Sequence, residues 1–113
     1  MKITVTQESG VTLIRISGSL DSLTCDDAQA VFEERIKNNE IKMVVDFSEV
    51  DYLSSAGLRV LLPALKGARQ RGGDLYLVGL QDNIRKVLSL AGFASIFKTY
   101  STLTDAVGAF ASR

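Results

Sequence analysis

The run Lys42-Met43-Val44-Val45-Asp46-Phe47 constrains the fold more than any other stretch of the chain. A short apolar segment without alternation, ending in polar residues, is the pattern of a strand buried on both faces, and such strands sit mid-sheet. Leu75-Tyr76-Leu77-Val78 repeats the pattern later in the chain. Helical spacing separates the two runs: Leu58, Leu61, Leu62, Leu65 and Ala68 mark one face of a helix that starts around Ala56 and stops at Gly72-Gly73.

The remaining segments extend the alternation. Ile3 and Val5 alternate with Thr4 and Thr6, a half-buried strand that turns at Ser9-Gly10 into a second strand from Val11 to Ser17, so the chain should open with a hairpin. Thr24 precedes Asp26 and Asp27 as a hydroxyl N-cap does, and Ala28, Val31, Phe32 and Ile36 carry the helix that follows. Asp82 is placed as the N-cap of a helix bearing Ile84, Val87, Leu88 and Ala91, with Gly92 as its stop. Ile96 to Tyr100 is a short final strand, and Ser101 or Thr102 caps a last helix with Ala106, Val107 and Phe110 inward. The order β-β-α-β-α-β-α-β-α defines an α/β fold: one small domain over residues 1–113, with a mixed sheet of about four to five strands and about four helices. Pro63 and Gly67 strain the second helix, and Pro63 should kink it.

Composition narrows the function. The 13 basic and 13 acidic residues cancel, which excludes a broad electrostatic footprint for nucleic acid or membrane. The charge is nevertheless divided: residues 1–58 hold ten acids against five bases, and residues 59–113 hold three acids against eight bases. Histidine is absent, which removes Ser-His-Asp and Cys-His catalysis and every histidine-containing zinc site. The lone Cys25 can form neither an internal disulfide nor a multi-thiolate metal centre. With no apolar signal core and no run long enough for a membrane span, the expected location is the cytoplasm, with no membrane insertion. No metal site or cofactor motif is found; Gly72-Gly73 is a turn and not a phosphate loop.

The most informative segment is Asp46 to Leu58, DFSEVDYLSSAGL, which joins the central strand to the second helix. In open α/β sheets, ligands gather outside the carboxyl ends of the strands. Two adjacent hydroxyls, Ser54 and Ser55, stand at or just before a helix N-terminus, followed by Ala56 and Gly57. A phosphate there would meet free N–H groups and the positive end of the helix dipole. The simpler reading is a capping serine with a small pair for close packing.

This segment resembles the signature of STAS domains (sulfate transporter and anti-sigma factor antagonist): Asp46, Phe47, Ser48, Val50, Tyr52, Leu53, Ser55, Ala56, Gly57 and Leu58 match its pattern. Gly18-Ser19-Leu20-Asp21 is similar to the family's turn after the second strand, and Gly72-Gly73 to its double glycine. The resemblance implies a bacterial anti-sigma factor antagonist, a partner switch that is not itself an enzyme. It implies that a partner, both anti-sigma factor and serine kinase, phosphorylates Ser55, and that a metal-dependent serine phosphatase resets the switch. The unphosphorylated form would bind the partner and release its target. The family's usual Asp before that serine is Ser54 here, a departure that either alters kinase recognition or makes Ser54 a competing acceptor.

The resulting partner surface is Asp21, Asp51, Tyr52, Ser54, Ser55, Ala56, Gly57 and Arg59, on a chain expected to be a monomer when free. Arg59, Lys66, Arg69 and Arg71 read either as a solvated basic face or as an acid-seeking contact surface. Two other functions compete: a constitutive STAS scaffold subunit, of the stressosome or of a lipid-transport ATPase, and an enzyme using Asp46 or Asp51.

Overall fold

The computed structural model describes residues 1–112. Strands β1 (Lys2–Glu8) and β2 (Val11–Leu20) form the opening hairpin, antiparallel, with Glu8 opposite Val11. Ser9 and Gly10 both have positive φ, the backbone of the two-residue turn whose twist suits a hairpin. Then follow α1 (Cys25–Lys37), β3 (Lys42–Leu53), α2 (Ser55–Gln70), β4 (Asp74–Val78), α3 (Asp82–Leu90), β5 (Lys98–Tyr100) and α4 (Leu103–Ala111). The five strands lie in the order β1-β2-β3-β4-β5, so β3 is central, and every pairing after the hairpin is parallel.

The sheet separates two cores. On one face Ile14, Ile16, Met43, Val45, Phe47, Leu75 and Leu77 pack with Phe32 of α1, Leu61 and Leu65 of α2, and Ile84 and Leu88 of α3. On the other face α4 inserts Ala106 and Phe110 against Val44, Tyr76 and Val78, with the Phe110 and Tyr76 rings stacked 4.1 Å apart. Helices on both faces explain the unbroken apolar runs of β3 and β4. Among the described residues no helix is long and apolar enough to cross a membrane.

Several boundaries depart from the sequence expectation, each for a visible reason. β3 does not end at Phe47 but continues to Leu53, because two register shifts against β2 place extra β3 residues in the ladder. The buried positions then fall at Phe47, Val50 and Leu53, a spacing of three that no period-two search detects. Gly18, Ser19 and Leu20 belong to β2, and the turn begins only at Asp21. Thr24 precedes α1, yet its hydroxyl does not cap the helix; it accepts from the Asp21 N–H at 2.9 Å and donates to the Ser19 carbonyl at 2.9 Å. Asp82 is the first residue of α3 and Gln81 occupies the capping position. Ile96 and Phe97 lie before β5 in a turn whose N–H groups donate to the Phe93 carbonyl. α2 continues through Pro63, whose ring is exposed, and starts at Ser55 rather than Ala56.

Candidate functional site

The carboxyl ends of β2 and β3 meet at the start of α2. The Ser54 N–H donates to the Leu20 carbonyl at 3.1 Å, which fastens the serine segment to the end of β2 and sets Asp21 beside it. Ser54 then turns the chain: it is extended (φ −95°, ψ 171°), and its Oγ accepts from the Gly57 N–H at 3.3 Å while its carbonyl accepts from Leu58 at 3.0 Å. Ser54 is therefore the N-cap, and Ser55 is the exposed first residue of the helix. The Ser55 and Ala56 N–H groups are the first of α2 and have no intrahelical acceptor.

Gly57 explains how closely this helix approaches the sheet. A β-carbon there would lie 2.5 Å from the Leu20 carbonyl oxygen and 2.9 Å from side-chain atoms of Leu20 and Leu53. Both neighbours are backbone or buried side chain, so they cannot give way cheaply. Ala56, by contrast, is half-buried and carries no such constraint.

The acidic residues of the site are held in turns. Asp21 Oδ1 accepts from the Leu23 N–H at 2.9 Å, closing the loop into α1. Asp51 is exposed at the end of β3; its carboxylate accepts from the Ser19 hydroxyl at 3.4 Å and its carbonyl from the Asn83 amide at 2.9 Å. Tyr52 is 55% exposed, unusual for an aromatic ring. Arg59 stands one turn beyond Ser55 on the same side of α2 and forms no ion pair among the described residues. It borders a groove of about 210 Å³ between α1 and α2, floored by Phe32, Ile36, Val60 and Ala64.

The structure thus gathers Asp21, Ser54, Ser55, Ala56 and Gly57 around one helix start, with Asp51 and Tyr52 at the adjoining strand end. Two of the basic residues that follow Arg59 are engaged within the chain. Arg69 pairs with Asp74 at 3.1 Å and also donates to the Ile96 carbonyl, and Arg71 donates to the Ile36 carbonyl at 2.6 Å. Asp46 is likewise committed: its Oδ2 meets Arg15 Nε at 3.1 Å and its Oδ1 accepts from the Ser48 N–H at 2.9 Å. Burial alone would raise the Asp46 pKa, but the bonds from Ser48 and the Arg15 charge outweigh it and hold the carboxyl below its usual value.

Gln81 and Asn83 are structural members of the site that the sequence did not reveal. Beyond Asp46, β3 has no β4 partner, and the Gln81 side-chain amide donates to the carbonyls of Ser48 (3.1 Å) and Val50 (2.9 Å), as a neighbouring strand would. Asn83 does the same at Asp51.

The chain belongs to the STAS domain family, whose model matches residues 2–106. Within that family it is similar to BtrV of Bordetella bronchiseptica, named as an anti-sigma factor antagonist, with 34% identity over 97% of this chain and 95% of the relative. An anti-sigma factor antagonist structure from Mycobacterium paratuberculosis superposes with a TM-score of 0.87 at 26% identity, covering 96% of this chain and 92% of that one. The fold is also that of SpoIIAA from Bacillus, at 17% identity. Its unphosphorylated form gives a TM-score of 0.85 over 99% of this chain and 98% of that one, and its phosphorylated form 0.75 over 96% and 99%.

Proposed function

We propose that this protein is an anti-sigma factor antagonist whose binding is switched by phosphorylation of Ser55. The observation that carries the reading is the division of labour between the two serines. Ser54 Oγ is engaged as the α2 cap, whereas Ser55 is exposed at the helix start among N–H groups that have no intrahelical acceptor. That arrangement supports Ser55 over Ser54 as the acceptor, because modifying Ser54 would disturb the cap. Relatives named as anti-sigma factor antagonists, and a protein of the same fold solved in phosphorylated and unphosphorylated forms, support the same reading.

The switch operates through charge and not refolding. In the unphosphorylated state a cytoplasmic partner, an anti-sigma factor that is also a serine kinase, packs over Ser55, Tyr52 and the Asp21 turn and gives up its target. Phosphorylation adds about −1.5 to −2 charges at the centre of that surface. The α2 N-terminus and Arg59 accommodate the phosphate in the free protein, while the packed partner would have to desolvate it. The antagonist catalyses nothing itself; a metal-dependent serine phosphatase removes the group.

The test is intact mass after incubation with the cognate anti-sigma factor kinase and ATP, followed by binding of variants. One added phosphate that maps to Ser55 and is lost in Ser55→Ala is the expected result, with Ser55→Ala binding as wild type and Ser55→Asp about 100-fold weaker, roughly 2.7 kcal/mol. A phosphate elsewhere, or equal affinity of the two variants, would overturn the switch and favour a constitutive scaffold subunit.

A further inference from the structure

Among the described residues β1 is the outer strand of the sheet, with β2 on one side and no strand on the other. Its seven residues, KITVTQE, contain no proline and pair with β2 in unbroken register, so their outward backbone groups form a straight row of free donors and acceptors. β5, at the opposite edge, offers only three residues. Exposed edges are ordinarily guarded by charges, proline or bulges; β1 carries charges only at its two ends, Lys2 and Glu8. Among the described residues neither end charge has an ion-pair partner within the chain.

We propose that β1 is an interface for a second copy of this chain, joined antiparallel about a two-fold axis through Val5. That axis sets Lys2 against Glu8 twice, Thr4 against Thr6 twice, Ile3 against Gln7 twice and Val5 against its own copy. Residues directly opposite share a face and their side chains meet, so both free charges gain an opposite partner and the half-buried Val5 is covered. Alternation of faces permits only shifts of the axis by whole residues, and the neighbouring choices fail. An axis at Thr4 puts Lys2 against Thr6 and gives Glu8 no partner within β1; an axis at Thr6 puts Glu8 against Thr4 and Lys2 against Gly10. Charge complementarity therefore selects Val5. The dimer would be one continuous sheet of twice the five strands, with its two Ser55 surfaces at opposite ends and both free.

Sedimentation velocity on the full chain over a wide concentration range tests this. The expected result is a monomer–dimer equilibrium in which Lys2→Glu and Glu8→Lys each raise Kd about tenfold, through the two symmetry-related pairs each disrupts. The double reversal K2E/E8K should restore the wild-type Kd, and circular dichroism should be unchanged throughout, since both side chains are exposed. A chain monomeric at the highest concentration overturns the proposal. So does a dimer unaffected by the single reversals or not rescued by the double one.

Discussion

The inner and outer halves of β3 are built on different terms. From Met43 to Phe47 the strand is flanked by β2 and β4 through Asp46, buried on both faces and nearly all apolar. From Ser48 to Leu53 it keeps β2 on one side only, with Gln81 and Asn83 amides on the other, and four of its six residues are exposed. The inner half is held by the hydrophobic effect and a complete ladder. The outer half is held by a few directional bonds, and it is the outer half that delivers Ser54 and Ser55. A recognition surface needs polar, accessible groups, so its position cannot be secured by burying them; here it is secured by bulges, side-chain amides and one close-packed glycine.

The largest effect expected from breaking this contrast lies in the inner half. Phe47 is fully buried between the sheet and the helices, and Phe47→Ala should cost about 3–5 kcal/mol in denaturant unfolding. Because β3 is central, the loss should appear as a lower global stability with no selective loosening of the outer strand.

Gln81→Ala should show the opposite distribution. It removes two hydrogen bonds to strand carbonyls, one exposed and one half-buried, worth about 1–2 kcal/mol together. Hydrogen exchange should accelerate mainly at residues 48–55, with protection of residues 43–47 little changed. Uniform acceleration across both segments would show that the outer half is not a separately held unit.

This difference also accounts for what could be read from the chain. Met43–Phe47 and Leu75–Val78 were legible because burial on both faces leaves a compositional trace, and the hairpin because Ile3 and Val5 alternate with threonines. The outer half of β3 leaves no strand pattern in the sequence because its bulges replace a period of two with a spacing of three at Phe47, Val50 and Leu53. Ser55 and Gly57 were found through a linear motif, since the residues that shape the site follow one another in sequence. Gln81 and Asn83 were not, because their partners lie more than thirty positions away and an amide side chain carries no local mark of its target. The misplacement of the α3 cap at Asp82 has the same origin: Gln81 is spent on the strand.

The smallest expected effect sits at the junction of the two halves. Asp46 is the last β3 residue paired with β4, and its carboxylate binds both Arg15 and the N–H of Ser48, the first residue of the outer half. Its folded pKa lies below its ordinary value, so the ionised form is favoured in the native state. A carboxyl depressed in this way contributes stability that is fully present above its unfolded pKa, about 3.9, and is lost as pH falls through the folded value. Arg15 is 54% exposed and its charge is screened, so the contribution should be modest, within about 1 kcal/mol. In Asp46→Asn the stability difference from wild type, measured by urea unfolding, should be constant from neutral pH down to the carboxylate range and shrink below it. A difference that stays the same into the acid range would assign the role of Asp46 to its hydrogen-bond geometry alone, without its charge.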